Sequence, residues 1–266
     1  MAKQALIAKG NVKLCDFDPE YNGGMNKEDA KLQTQAYREK LSLLQTKLYA
    51  DNRYSVLIVL QAMDAAGKDS TIKNIFTGLN PQGIKVTSFK VPSLEEASHD
   101  FLWRIHKAVP EKGKIGVFNR SHYEDVLVVR VNNYVAEDVW QARYDHINHF
   151  ESLLEANNTT ILKFFLHISK EEQKKRFEER LADPTKHWKF SSGDLEVRTQ
   201  WDEYMQAYED VFRKCSPKHA PWHIVPSNNK WVRDFVVMKT IVEAMEALPL
   251  RFPPAEEGLD KIVVPD

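Results

Sequence analysis

The pattern of apolar and polar positions predicts helices that alternate with strands. Over residues 28–50, Ala30, Tyr37, Leu41, Leu44 and Leu48 recur at three-, four- and seven-residue steps, which is one face of an amphipathic helix. Short apolar runs such as SVLIVL at 55–60 are typical of strands buried on both faces of a parallel sheet. We predict strands over 55–60, 84–89, 114–119, 160–168 and 222–225. We predict helices over 28–50, 69–78, 93–107, 121–131, 136–156, 169–181, 194–212 and 231–247.

This alternation indicates an α/β domain whose parallel sheet is covered by helices on both sides. Capping boxes, Ser93 with Glu96 and Ser169 with Glu172, mark the starts of two helices. The chain has no internal repeat and no low-complexity linker. We therefore predict one domain over 1–266, with an N-terminal helical extension over about 1–53 and an inserted lid over about 171–213.

The composition is that of a soluble globular chain and excludes disordered, collagen-like and disulfide-scaffold proteins. Of the 266 residues, 42% are hydrophobic and 28% are charged. The balance of 37 basic and 38 acidic residues argues against a nucleic-acid partner, because such binders usually carry a basic surface. A site for a polyanion must therefore be local.

Nothing in the sequence predicts export or membrane insertion. Residues 1–13 lack the apolar core of a signal peptide, and no apolar run approaches the ~18 residues that cross a bilayer. Cys15 and Cys215 stand far apart without the spacing of metal ligands, so we expect two reduced thiols. We therefore predict a cytoplasmic protein.

Residues 62–70, AMDAAGKDS, follow a buried strand and open a helix, where a phosphate-binding P-loop lies. Backbone N–H groups and the helix dipole would stabilise a phosphate there, and Lys68 would add a positive charge. Ala62 replaces the first glycine of the P-loop pattern, and Asp69 replaces the metal-binding Ser or Thr, so Asp64 is the candidate ligand for Mg²⁺. The alternative is a capped turn with an incidental lysine. The predicted phosphate-binding residues are Ala65, Ala66, Gly67, Lys68, Asp69 and Ser70.

A second polar segment, GVFNRSHYED at 116–125, follows another predicted core strand. Ligands of open α/β sheets bind outside the carboxyl ends of strands, so this segment should meet the P-loop. Arg120 can present its planar guanidinium to a phosphate, while Glu124 and Asp125 can hold a metal ion. The alternative for these acids is an ordinary helix start, where negative charge suits the dipole.

Five long motifs follow one another along the chain: AMDAAGKDSTIKNIFTGLNPQGIKVTSFKVPS, FLWRIH, GVFNRSHYEDVLVVRV, HWKFSSGDLEVRTQWDEY and APWHIVPSNNKW. In content and order they resemble the polyphosphate kinase 2 family, and the resemblance extends over about 22–247. It implies a three-layer P-loop kinase fold similar to thymidylate kinase, with a helical lid. It also implies Mg²⁺, or Mn²⁺ in its place, and phosphoryl transfer between inorganic polyphosphate and a nucleotide.

One position departs from the commoner family pattern. Many members carry Asp at the end of the second core strand, where this chain has Asn119. Asn119 together with Glu124 resembles the class III branch, which phosphorylates both nucleoside mono- and diphosphates. The resemblance then implies that metal binding falls mainly on Asp64, with Glu124 or Asp125 assisting.

Basic residues of the lid are the candidates for binding a chain of phosphates. Arg176 and Arg180 lie one helical turn apart and should border the cleft, and Lys186, Lys189 and Arg198 follow. Residues 171–189 hold six basic and five acidic side chains, so local ion pairs on a solvated helix are the alternative. Trp103 and Arg104 are candidates for nucleotide binding, or else pack under the sheet edge.

The function predicted is in-line phosphoryl transfer from polyphosphate to AMP or ADP, and to GMP or GDP as further acceptors, with the reverse reaction open. Lys68, Arg120 and Mg²⁺ would neutralise the transferred group, and Arg176 and Arg180 would close over it. Two alternatives stay open: an ATP-dependent nucleoside monophosphate kinase and a non-enzymatic nucleotide- or phosphate-binding regulator. We also expect a homo-oligomer, for which the apolar face of the 28–50 helix could serve as interface.

Overall fold

In this computed structural model, residues 6–8, 10–259 and 262–265 are described, and they form one sheet with helices on both sides. The strands are β1 Leu6–Ile7, β2 Ser55–Gln61, β3 Ile84–Ser88, β4 Ile115–Asn119, β5 Thr159–His167 and β6 Trp222–Pro226. Their order across the sheet is β1-β6-β5-β2-β4-β3, and only β1, which pairs with β6, runs antiparallel to its neighbour. Every residue of β2 is buried, as the apolar run predicts.

The described α-helices connect these strands. They are α1 Lys27–Asp51, α2 Lys68–Phe76, α3 Leu94–Ala97, α4 Trp103–His106, α5 Val128–Val131, α6 Glu137–Ala156, α7 Lys170–Ala182, α8 Gly193–Thr199, α9 Trp201–Lys214 and α10 Lys230–Glu246. The β2–β3 and β4–β5 crossovers run in opposite directions, so right-handed connections place α2 and α6 on opposite faces. Helices α1 and α2 pack with α10, while α6 contacts β5. The predicted α/β sandwich is confirmed. None of the described helices is long and apolar enough to cross a membrane.

Several predicted helices are interrupted. The capping box of Ser93 and Glu96 forms, but the predicted 93–107 helix splits into α3 and α4, because the Asp100 carboxylate accepts a hydrogen bond from the Leu102 N–H at 2.9 Å. The predicted 121–131 helix begins as a 3₁₀ turn before α5, and the 194–212 helix bends at Gln200 between α8 and α9. The two-residue strand β1 carries too little pattern to be predicted.

The apolar face of α1 packs against α10 inside the chain. Ala30, Leu41 and Leu48 are buried, and Asn26 caps the helix by accepting a hydrogen bond from the Glu28 N–H at 2.8 Å. This face is therefore used inside the chain, while Leu32 and Leu43 of the same helix are exposed, and an interface formed by α1 stays a prediction. The homo-oligomer itself stays a prediction as well.

A polar cluster is buried between β5 and α6. The Lys163 ammonium donates to Glu151 Oε2 at 2.5 Å, to the Tyr123 hydroxyl at 2.9 Å and to the Cys215 carbonyl at 2.8 Å. The side chains of Lys163 and Glu151 are fully buried. All three N–H groups of the ammonium therefore have acceptors, as a buried charge requires. Cys15 and Cys215 are both free thiols, as predicted.

Candidate active site

The P-loop lies where the sequence predicts it, between β2 and α2. Residues 62–67 form the turn, with Ala65 at φ 62° and Gly67 at φ 107°, and α2 begins at Lys68. The Lys68 ammonium donates to the Ala62 carbonyl at 3.0 Å, so its side chain folds back along the loop. Burial lowers the pKa of Lys68, and the nearby guanidinium of Arg120 lowers it further, while carboxylates act against both.

Arg120 joins the two predicted polar segments. It follows β4 at φ 62°, and its N–H donates to the Leu60 carbonyl of β2 at 3.1 Å. One guanidinium nitrogen lies 2.5 Å from Asp64 Oδ1, and the other lies 3.3 Å from Glu124 Oε2. The carboxylates of Glu124 and Asp64 raise the pKa of Arg120, although burial opposes them. The structure thus brings Asp64, Lys68 and Arg120 to one place.

Asn119 contacts the residue that departs from the usual P-loop pattern. Its Nδ2 donates to Asp69 Oδ1 at 2.6 Å. The Asn119 amide therefore donates a hydrogen bond to Asp69, whereas an aspartate at position 119 would place a second carboxylate beside that of Asp69.

Among the described residues, two cavities flank the P-loop. The first encloses about 450 Å³ and is lined by Asp64, Arg120 and Glu124 and by Tyr134, Tyr204 and Tyr208; we call it the tyrosine cavity. The second encloses about 160 Å³ beside Ala65, Gly67 and Ser70, and we call it the basic cavity. Its cations are Arg176, Arg180, Lys186, Lys189, Lys230 and Arg233.

Arg176 lines the basic cavity, as its predicted place beside the cleft requires, but the protein itself binds its guanidinium. It is 6% exposed, and each of its five N–H groups has an acceptor within the protein. The acceptors are Glu172 Oε1 at 2.7 Å and the carbonyls of Ala65 at 3.1 Å, Ala66 at 2.9 Å, Ser227 at 2.7 Å and Asn228 at 3.0 Å. These contacts occupy all five N–H groups of Arg176 in this structure, and its closing over a substrate stays a prediction.

The other predicted lid cations divide into two groups. Arg180, Lys186 and Lys189 line the basic cavity, where Lys186 also pairs with Asp183 at 2.8 Å. Arg198 lies outside both cavities and donates to the Lys170 carbonyl at 2.7 Å. Arg198 also donates to Gln173 Oε1 at 3.0 Å, and Gln173 donates to the Asp64 carbonyl at 2.9 Å, so Arg198 is linked to the P-loop through Gln173.

Trp103 and Arg104 also lie away from the P-loop. Trp103 stacks on His99 with ring centroids 4.0 Å apart and lines a separate cavity between α4 and α6. Arg104 is buried and donates to the Lys90 carbonyl at 2.8 Å. Neither residue lines the tyrosine cavity or the basic cavity, so this placement does not support their role in nucleotide binding, which stays a prediction.

Asp125 pairs with Arg143. Its carbonyl and Oδ1 accept hydrogen bonds from Arg143 at 3.0 and 3.2 Å, and it does not line the tyrosine cavity. Burial raises the pKa of Asp125 to about 6, and Arg143 and Arg104 act against burial. The expected metal-binding role of Asp125 is not supported by this geometry.

Asp64 and Glu124 are the carboxylates that could hold a metal ion. No cluster of three or more His, Cys, Asp or Glu side chains suited to a metal occurs in the part of the chain that the structure describes. Mg²⁺ commonly binds one or two carboxylates and takes its remaining ligands from substrate phosphates and water. Two carboxylates on one wall of the tyrosine cavity fit such a site, which a substrate would complete.

Comparison with known proteins identifies the family. The sequence model described as "Polyphosphate kinase 2 (PPK2)" matches residues 24–252. The chain belongs to the polyphosphate kinase 2 family. The resemblance inferred from the five motifs is therefore confirmed.

Two curated relatives and one solved structure show how closely this polyphosphate kinase 2 chain resembles known members. The AMP/ADP-polyphosphate phosphotransferase of Meiothermus ruber is 48% identical over 268 residues, covering 99% of this chain and 100% of the relative. The ADP-polyphosphate phosphotransferase of Rhodopseudomonas palustris is 48% identical over 227 residues, covering 81% and 78%. The crystal structure of polyphosphate kinase 2 from Arthrobacter aurescens superposes with a TM-score of 0.95 at 44% identity, covering 98% and 95%. The predicted P-loop kinase fold class is confirmed.

Sequence reasoning missed some residues that line the two cavities. Lys230 is the lysine of the PSNNKW motif, Arg233 lies one turn later on α10, and both line the basic cavity. Tyr204 and Tyr208 are four residues apart on α9 and line the tyrosine cavity. Such spacings place side chains on one face of a helix, but they do not tell which element that face meets.

Proposed function

We propose that this chain transfers a phosphoryl group from inorganic polyphosphate to AMP or ADP, with GMP and GDP as further acceptors. The observation that carries the proposal is the pair of cavities beside one P-loop. One is lined by six cations, and the other is lined by tyrosines, carboxylates and Arg120. Membership of the polyphosphate kinase 2 family and the named substrates of the two relatives support it.

The basic cavity suits the phosphate donor. A polyphosphate chain carries many negative charges and no apolar part, so cations and backbone N–H groups are its natural partners. Arg180, Lys186, Lys189 and Lys230 surround the P-loop backbone there, in a protein whose formal net charge is −1. Positive charge is thus concentrated at this site.

The tyrosine cavity suits the nucleotide acceptor. Aromatic rings can stack on a base, and Val128 and Leu127 add apolar contact, while Arg120 can bind the acceptor phosphate. Mg²⁺, or Mn²⁺, held by Asp64 and Glu124 would supply charge neutralisation between the two substrates. The phosphates of both substrates would then approach each other at the P-loop.

The chemistry needs little proton transfer. A nucleotide phosphate oxygen forms a bond to the terminal phosphorus of polyphosphate, the bond from that phosphorus to the rest of the chain breaks, and the shortened polyphosphate leaves as an anion. Because the attacking oxygen is already an anion at neutral pH, catalysis comes from alignment and charge neutralisation. Lys68 and Arg120 are the residues placed to supply the positive charge.

A substrate panel tests this proposal. AMP, ADP, GMP and GDP are each incubated with polyphosphate and Mg²⁺ without ATP, and the nucleotide products are measured. We expect ADP and ATP from the adenine nucleotides, and a loss of about 10² to 10³ in rate for Lys68→Ala. A requirement for ATP would favour a nucleoside monophosphate kinase instead, and the absence of any product would favour a binding protein.

The cytoplasm is the compartment we propose for the reaction. Both cysteines are unpaired, and Cys15 is exposed, which fits a reducing environment.

A further inference from the structure

Two buried arginines meet at the backbone of the P-loop from different helices. Arg176 comes from α7 and is 6% exposed, and Arg233 comes from α10 and is 0% exposed. Both donate to the carbonyl of Ala66, Arg176 at 2.9 Å and Arg233 at 3.3 Å. One backbone oxygen of the phosphate loop therefore accepts two charged hydrogen bonds.

The contacts of Arg176 fix how the loop presents its amides. In a trans peptide the carbonyl and the following N–H point in opposite directions. Holding the Ala66 carbonyl toward the arginines therefore turns the Gly67 N–H away from them. The first turn of α2 follows directly, and its N–H groups lack partners within the helix. The two arginines thus help to set the orientation of the N–H donors that a phosphate would use.

Gly67 provides independent support for this arrangement. A Cβ atom added at Gly67 would lie 2.1 Å from Arg233 Nη1, so only glycine lets the guanidinium approach the loop this closely. Asp234 pairs with Arg233, and its other oxygen accepts a hydrogen bond from Asn74 of α2 at 2.6 Å. The position of Arg233 is therefore fixed from both α10 and α2.

The electrostatics point the same way. Burial lowers the pKa of Arg233, and the charge of Arg176 lowers it further, although Asp234 opposes both. Arg233 Nη2 has no acceptor with hydrogen-bond geometry among the described residues. The two guanidinium groups repel each other, although Glu172 pairs with Arg176 and Asp234 with Arg233, and a phosphate on the P-loop would offset the repulsion further.

We propose that Arg176 and Arg233 are positioning residues for the phosphate donor, acting through the Ala65–Gly67 backbone rather than by contact with substrate. The proposal rests on the proposed function and deepens it, because it assigns the geometry of the donor site to two helices outside the P-loop. It also gives the first half of α7 a role in the donor site, because Arg176 of this helix holds the P-loop backbone. A lysine at either position keeps the charge but lacks the planar fork that reaches several carbonyls.

Steady-state kinetics of Arg176→Lys, Arg176→Gln and Arg233→Lys test the proposal. We expect each variant to raise the KM for polyphosphate about tenfold or more, and to leave the KM for the nucleotide within about twofold. Arg130→Gln is the matched control, because Arg130 is a partly buried arginine that pairs with Asp210 at 2.7 Å and lines neither cavity. A wild-type KM for polyphosphate in Arg176→Lys would show that charge alone suffices and would overturn the proposal.

A binding measurement makes the test independent of turnover. Tripolyphosphate alone should raise the Tm of the wild-type protein and of Arg130→Gln, and raise it much less in the three variants. If the wild-type protein shows this shift but transfers no phosphate, the proposed function fails and the positioning role survives. Variants that are less stable but keep the full tripolyphosphate shift would overturn the positioning role. If Arg176 variants do not fold, Arg233→Lys decides, and its failure to fold as well would assign both arginines a purely structural role.

Discussion

Arg120 connects the two polar segments of the candidate site, because its guanidinium contacts a carboxylate of the P-loop and one of the segment after β4. Two different nitrogens make these contacts, to Asp64 at 2.5 Å and to Glu124 at 3.3 Å. The side chain is still 36% exposed, so it is accessible from the tyrosine cavity. A bidentate cation in this position can orient two carboxylates and a phosphate together.

We therefore expect Arg120→Lys to lower kcat/KM by about 10² to 10³, since an ammonium cannot span both carboxylates. The measurement is polyphosphate-dependent formation of ATP from ADP. Arg130→Lys serves as control and should stay close to the wild-type rate. Activity of Arg120→Lys within about twofold of wild type would contradict the role given to the guanidinium.

Gly67 and Gly78 offer a matched pair of glycines for a second test. Both have positive φ, 107° and 85°, but an added Cβ at Gly78 meets nothing within 4 Å, whereas one at Gly67 meets Arg233. Backbone strain alone should cost Gly78→Ala about 1 to 3 kcal/mol of the free energy of unfolding. We expect Gly67→Ala to cost more and to abolish activity, as measured by urea denaturation and by turnover. Equal losses of stability would show that Arg233 moves aside at little cost.

Among single residues, the sequence predicted the site residues that lie in recognisable motifs. It did not predict the contacts that depend on how distant elements pack together. Asp64 and Lys68 are predicted because a buried strand, a loop and a helix follow one another as in a P-loop. Arg120 is predicted because it follows another core strand. Arg176 has the same periodicity as Arg180 and both line the basic cavity, yet Arg176 is 6% exposed and its guanidinium is bound to loop carbonyls. No spacing rule distinguishes them, because the difference depends on the β6–α10 loop, which is distant in sequence.

At the scale of elements, α7 is anchored at its beginning and exposed beyond its end. Gln173 donates to the Asp64 carbonyl at 2.9 Å and Ser169 donates to Asn228 at 3.0 Å, so the start of the helix is tied to the P-loop and to the β6–α10 loop. The 3₁₀ turn Pro184–Lys189 contains no buried residue. The predicted lid over 171–213 therefore includes a fixed part and a freer part.

Hydrogen exchange should separate these parts. We expect amides of the first three turns of α7 to exchange much more slowly than those of Pro184–Lys189 and α8, because few buried contacts hold the latter. Tripolyphosphate should slow exchange in Pro184–Lys189, whose lysines line the basic cavity. Equal exchange along the whole lid, with or without tripolyphosphate, would contradict the division.

The ion pair between β5 and α6 makes a prediction about stability. Lys163→Met leaves the Glu151 carboxylate buried without its cation, which should cost about 3 to 5 kcal/mol of the free energy of unfolding. The double variant Lys163→Met with Glu151→Leu should recover much of that loss, because it removes both charges. Urea denaturation of the two variants measures the difference. A double variant no more stable than the single one would show that Tyr123 and the Cys215 carbonyl require the ammonium.

Strands were easier to predict than helices for a physical reason. Buried parallel strands must be continuously apolar, so β2, β4, β5 and β6 are visible as runs bounded by polar residues. Helix interruptions depend on single side chains, such as Asp100, that accept a local N–H. Those interruptions divide the predicted 93–107 helix into the short helices α3 and α4.

The molecule as a whole is nearly neutral, but its charged side chains are distributed unevenly between the two cavities. The formal net charge is −1, yet the basic cavity gathers six cations while Asp64, Glu124 and Asp194 line the tyrosine cavity. Salt screens charges over about 10 Å at 0.1 M, so a chain of phosphates bound through several lysines should be more sensitive to salt than a nucleotide held partly by aromatic rings.

The KM values of the two substrates should therefore respond differently to ionic strength. Between about 50 and about 200 mM salt we expect the KM for polyphosphate to rise several times more than the KM for ADP, because binding a polyanion releases counterions. In the double variant Lys186→Ala with Lys189→Ala, the KM for polyphosphate should be higher at low salt and its dependence on salt shallower, because fewer cations take part. Arg213→Ala, at an exposed arginine that pairs with Asp210, should leave both slopes unchanged. Parallel slopes for the two substrates in the wild-type protein would mean that the donor does not bind in the basic cavity.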